Sequence, residues 1–269
     1  MSDAGGRIGF VPRILALPAL LGLALLALPL IALVLRVDWS TLWADITSPE
    51  ALSALGLSLV TGLTATAVCI VLGVPLALLI ARSRPRAAAA LRALVTVPLV
   101  LPPMVGGVAM LFLFGRTSWL GGLLAEWGVR IPFTTTAVVL AQTFVALPFL
   151  VLALEGSLRS TGIGYEQAAA ALGAGRWTIL GRVTLPLAAP GLVAGIVLCF
   201  ARAIGEFGAT ALFAGNAPGV TQTMPLAIYT AFNGAGVSQG TAVALSLLLL
   251  VTAIAVLLLV RAWRAEAPR

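Results

Sequence analysis

Five runs of this chain, 14–35, 51–81, 93–115, 131–154 and 241–260, contain no charged residue, and each is long enough to cross a bilayer as a helix. A sixth, 185–215, is apolar except for Arg202 and Glu206. In lipid the backbone has no water to bond, so only a helix or a closed barrel satisfies its N–H and C=O groups. Runs of this length select the helix. With 61% hydrophobic and 9% charged residues, the 269-residue chain has no room for a soluble domain beside the spans. The expectation is an all-α membrane protein of six transmembrane helices. Residues 1–50 hold an N-terminal tail, the first span and an outer loop; 51–260 form the main transmembrane domain; 261–269 form a short tail.

The first run resembles a signal peptide only superficially. Its apolar core is too long, and no small-x-small site precedes "RVDWSTLWAD". It is read as a retained anchor. All 16 basic residues are arginine, and they set the orientation. Arg7 and Arg13 precede the first span; Arg82, Arg84, Arg86 and Arg92 follow the second; Arg159, Arg176 and Arg182 lie in a loop at 155–184; Arg261, Arg264 and Arg269 end the chain. The alternate loops hold only Arg36, Arg116 and Arg130, beside Asp38, Asp45, Glu50 and Glu126. Both termini and the 155–184 loop are therefore expected in the cytoplasm of a multi-pass protein of the cell membrane. Trp39, Trp43, Trp119 and Trp127 fall in the outer loops, as interfacial anchors do.

The same features narrow the function. A net charge of +7 on a soluble protein would suggest nucleic acid, but these arginines are topology signals, so a nucleic-acid partner is not expected. An intramembrane hydrolase needs a nucleophile and base, paired aspartates or metal ligands; there is no histidine, and no aspartate lies in a span. Cys69 and Cys199 sit in apolar runs and read as small buried hydrophobes, so neither metal nor cofactor is expected. No lysine means no Walker motif, so the chain is not itself an ATPase. No internal repeat is visible, and Glu206 beside Arg202 gives thin support to an ion-coupled carrier.

The largest water-compatible stretch is "YEQAAAALGAGRWTILGRVTLPLAAPG", beginning at Tyr165. Gly162 and Gly164 should break the incoming helix, "YEQAAAAL" forms a short one, and Gly173 is placed to stop it. A second short helix, 176–183, should lead to Leu185 and Pro186. The segment resembles the EAA loop of ABC importer permeases. Gln167, Ala168 and Ala169 occupy the triplet, Gly173 follows after three residues, Val183 stands at the Ile position, and Leu185-Pro186 closes the pattern. It departs from the family in Gln167, with Glu166 one place earlier, and in Val183.

A second stretch, "FARAIGEFGATALFAGNAPGVTQTMPLAIYTAF", is similar to the molybdate and tungstate permeases; related sulfate permeases tend to carry Tyr where Phe207 stands. Arg202 and Glu206 share a helix face, and intramembrane ions default to a functional reading or to a buried structural pair. Gly205 and Gly208 permit local unwinding, while Thr210 and Asn216 offer neutral donors. The resemblance implies a type I ABC importer transmembrane domain with a cytoplasmic coupling loop at Glu166, Gln167, Ala168, Ala169, Gly173, Val183, Leu185 and Pro186. It implies a translocation path or gate at Arg202, Gly205, Glu206, Phe207, Gly208 and Thr210. The partners implied are two ATPase subunits, a second copy of the chain, an extracytoplasmic oxyanion-binding protein and the bilayer. The cargo implied is molybdate or tungstate, with sulfate or another anion as the alternative.

Overall fold

The computed structural model describes residues 13–234 and 239–266. Arg7 and Arg269 lie outside the described residues. The helices are α1 (Ala16–Leu35), α2 (Leu42–Ile46), α3 (Pro49–Arg82), α4 (Pro85–Val100), α5 (Pro103–Phe114), α6 (Trp119–Glu126), α7 (Thr135–Thr161), α8 (Gly164–Ala171), α9 (Arg176–Ile179), α10 (Leu185–Ile204), α11 (Gly208–Phe213), α12 (Met224–Asn233) and α13 (Gln239–Glu266). Local chemistry places several starts. Proline stands in the first turn of α3, α4, α5 and α10, where its missing N–H costs nothing. Ser48 and Thr134 cap α3 and α7, their hydroxyls accepting from the N–H groups of Ala51 and Ala137.

The core is built around α7, which packs along α3 on one side and α10 on the other. Small residues let these backbones approach. At Gly195 of α10 a Cβ would stand 3.1 Å from the Leu150 backbone, tighter than most real contacts. Cys69, Cys199, Ala65, Ala146, Leu150 and Ala203 fill this seam, and neither cysteine is bonded in a disulfide. Dispersion between close-packed small residues holds such a seam together, since lipid is as apolar as the side chains it would release. By contrast α1 buries none of its residues, so its apolar surface is free to face lipid.

Three expectations are corrected. The third span is not one helix from 93 to 115. It starts earlier, at Pro85, and breaks at Leu101 and Pro102, which are extended (ψ 136° and 132°), leaving α4 and α5 bent by 110°. Consecutive prolines explain this, because each pushes the residue before it out of the helical region. The fourth span runs past 154 to Thr161, so Glu155 and Arg159 lie on a helix and not in a loop. The fifth ends at Ile204 instead of 215, and after residues 205–207 a separate short helix, α11, packs against α5 and α7. Among the described residues four helices, α1, α3, α7 and the run Arg176–Ile204, are long and apolar enough to span a membrane, or five with the bent pair. The apolar described part of α13, Gly240–Ala255, is shorter.

Orientation can be read chemically. A cysteine replacing Leu172, in the chain after α8, should react with an impermeant maleimide only from the cytoplasm, and one replacing Trp127 only from outside. Cys69 and Cys199 are fully buried and should contribute little background. Reversed labelling would overturn the topology.

Candidate functional site

The loop after α7 is built from two glycines and a ladder of alanines. Gly162 ends α7 at φ 70°, and α8 follows at once. Gly173 has φ 86°, while Gly173 N–H donates to Ala170 O at 3.0 Å and Ala174 N–H to Ala169 O at 3.0 Å. This paired closure needs a left-handed residue, which glycine adopts without strain. No atom lies within 4 Å of where its Cβ would be, so the turn and not crowding requires glycine. The expected second helix at 176–183 is instead a single α-helical turn, α9, followed by a wider π turn over Leu180–Thr184 that runs straight into α10. Pro186 supplies a cause: it has no N–H to donate and its ring crowds the carbonyl one turn back, and a wider turn relieves both. Val183 lies in that turn, and Leu185 and Pro186 open α10.

Of the residues expected in the loop, Gln167 and Ala168 are exposed and Ala169 is half-buried. Glu166 turns inward. Its carboxylate pairs with Arg82 at the end of α3, and Thr184 Oγ1 donates to Glu166 Oε1 at 2.8 Å. Ile163, Tyr165, Leu172 and Trp177 stand exposed around α8, forming an apolar surface without cover in this chain.

The second cluster lies at the other end of α10. Gly205 caps the helix, yet the four-residue spacing survives the break: Arg202 Nη2 lies 2.6 Å from Glu206 Oε2. Glu206 is 1% exposed, and its Oε1 accepts the N–H of Ala209 at 2.8 Å, so one carboxylate holds both the end of α10 and the start of α11. Phe207 stacks at a tilt on Tyr229 of α12, ring centroids 5.1 Å apart. Gly208 packs on Pro103 and Met104, and a Cβ at Gly107 would stand 2.7 Å from Ala209 O, so α5 and α11 touch backbone to backbone. Thr210 is fully buried, and among the described residues its hydroxyl has no hydrogen-bond partner; the side-chain amide of Gln142 on α7 is likewise unpaired. Asn216, read from sequence as a free donor, is spent on Thr230 Oγ1 at 2.8 Å. The structure thus brings Arg202, Gly205, Glu206, Phe207, Gly208 and Thr210 together at the junction of α10 and α11.

Sequence reading missed a third set. Glu155 of α7 is 3% exposed and receives both Nε (3.1 Å) and Nη2 of Arg92 from α4, with Arg159 Nε 3.2 Å away one turn on. The Glu155–Arg159 spacing was a visible signal. The partner Arg92 was not, because it is distant in sequence.

Residues 73–265 match the family described as binding-protein-dependent transport system inner membrane component. The chain is 52% identical over 248 residues to the molybdenum transport system permease protein ModB of Mycobacterium tuberculosis, covering 92% of this chain and 93% of that one. It is 40% identical over 192 residues to the protein of the same description in Haemophilus influenzae, covering 71% and 84%. Its fold is similar to a chain of a bacterial ABC transporter that imports alginate, with a TM-score of 0.71, 16% identity and 96% coverage of both chains.

The geometry at Glu206 makes a specific forecast. Replacing either Glu206 or Arg202 with Gln removes one partner of a largely buried pair and should destabilise the protein by about 3 kcal/mol, read as a lower melting temperature in detergent. The double replacement should cost less than the sum of the two. Additive losses would show that the pair does not act as a unit.

Proposed function

Because the chain belongs to the family of binding-protein-dependent transport system inner membrane components, we propose that it is the permease subunit of an ATP-driven ABC importer for molybdate. The observation that carries this is 52% identity across 92% of the chain with a molybdenum permease. The fold supports the importer class independently of cargo. Tungstate, of the same charge and tetrahedral shape, belongs to the same reading.

The subunit is non-catalytic. With no lysine for a Walker motif, ATP hydrolysis falls to a separate subunit, and two copies of it serve a homodimer of this chain. The α8 loop is the docking element: exposed Gln167 and Ala168 share a helix face with exposed Ala171, a face of little bulk with Ala169 half-buried at its edge, and exposed Leu172 and Trp177 offer apolar area that a partner would cover. A soluble oxyanion-binding protein docks on the outer face. Closure of the ATPases on ATP shifts the loops and, through α3, α7 and α10, opens the path outward. The junction of α10 and α11 around Arg202 and Glu206 forms the gate. A conduit must release what it accepts, and a turn whose single carboxylate already neutralises its arginine holds a dianion weakly.

Proteoliposomes containing the chain, its ATPase and its binding protein test this reading. They should accumulate molybdate only when ATP and the binding protein are both present; uptake no higher than in liposomes lacking the chain would refute it. The docking assignment has its own test. Gly173→Leu forces a side chain onto a left-handed residue at a cost of about 1–2 kcal/mol. The permease should still fold, while the amount of ATPase subunit that co-purifies falls. Undiminished co-purification with normal hydrolysis would remove the loop from the docking surface.

A further inference from the structure

We propose that Glu166 acts as an internal link, not as a contact to the ATPase, and that with Arg82 and Thr184 it couples the movement of α8 to α3 and α10. The proposal rests on the reading of the chain as a permease driven through this loop. The family resemblance puts the first position of the triplet at Gln167, which is exposed; the carboxylate lies one residue earlier and points back into the protein.

The attachment of α8 makes this pair matter. The helix has no buried residue, so no apolar core fastens it. Beneath it, between the end of α3 and the α9 turn, lies an open cavity of about 470 Å³ lined by Leu78, Arg82, Glu166, Arg176 and Thr184 among others. Packing therefore does not fill the space through which force must pass. What crosses it is one carboxylate oxygen, Glu166 Oε1, receiving Arg82 Nη2 from α3 and Thr184 Oγ1 from the π turn that leads into α10. Glu166 also stands in the first turn of α8, where a negative charge is favoured by the helix dipole. Its side chain is 21% exposed and that of Arg82 32%, so the pair is shielded enough to persist and wet enough to break and re-form. A few residues farther back, Glu155 performs a similar task between α7 and α4 through Arg92. The two carboxylates flank the Gly162 turn, so both sides of that turn are tied to the bundle.

A positioning role separates from a docking role in four variants: Glu166→Gln, Arg82→Gln, the exchange Arg82→Glu with Glu166→Arg, and the isosteric Thr184→Val. Three readings are taken: co-purification of the ATPase, molybdate transported per ATP hydrolysed, and hydrogen exchange across α8 in the permease alone. The ATPase should co-purify undiminished with every variant. Transport per ATP should fall roughly five-fold or more in both single charge variants, fall less in Thr184→Val, and recover in the exchange. Exchange across α8 should quicken to the same degree in Glu166→Gln and Arg82→Gln, and this reading does not depend on the cargo. Loss of the ATPase from Glu166→Gln but not from Arg82→Gln would make Glu166 a docking contact and overturn the proposal. Unchanged exchange in Arg82→Gln would overturn it too. Failure of the wild-type complex to move molybdate would instead contradict the assigned cargo and leave the exchange result standing as the test of the link.

Discussion

The carboxylate of Glu155 is almost completely removed from water, and an unpaired charge in that position would cost several kcal/mol. It is tolerable only because Arg92 grips both of its oxygens and Arg159 approaches one of them. That requirement fixes the half of the fold that carries the α8 loop. Arg92 can reach Glu155 only if α4 lies against α7, and α4 can lie there only if its helix begins at Pro85 and turns away before Pro103. The bend of 110° after α4 thus answers two demands: the proline pair forbids a continuous helix, and the ion pair dictates where the first half rests.

The opposite end of α10 obeys the same rule with different parts. Glu206 is buried as α10 ends, and it serves two groups at once, the guanidinium of Arg202 and the N–H of Ala209. At the break the N–H groups of Gly205 and Glu206 still donate back to Ala201 O and Ala203 O, and that of Ala209 to Glu206 Oε1. Close contact of Gly107 and Gly208 with facing backbone then locks α11 against α5. A segment held by one carboxylate and by small-residue contacts can rearrange without exposing a bare charge, which suits a gate.

Much of this was legible in the residues. Apolar runs located the helices α1, α3, α7 and α10, because hydropathy reports directly on which segments can enter lipid. The spacing of Gly173 marked a left-handed turn, and the spacing of Arg202 and Glu206 marked a pair. Helix ends were less legible. The continuation of α7 to Thr161 carries Glu155 into the bundle, and a charge normally signals the edge of a span; Arg92, far away in sequence, makes it acceptable together with the nearby Arg159. The inward turn of Glu166 was equally hidden, since its partners Arg82 and Thr184 come from two other elements. Pairings between distant elements have no periodicity to reveal them.

The ion pairs tie the loop to the neighbouring ends of α3, α4, α7 and α10, and on the proposal above these move as one mechanical body. Electron–electron distances between spin labels test this directly, with labels replacing Leu172 beside α8 and Leu79 on α3, both exposed side chains. In complexes carrying one doubly labelled copy, the distance between the two labels should change by less than about 2 Å on ATP binding. Labels on Leu172 of two copies should meanwhile move several times farther relative to each other. A change within one copy as large as that between copies would contradict the account.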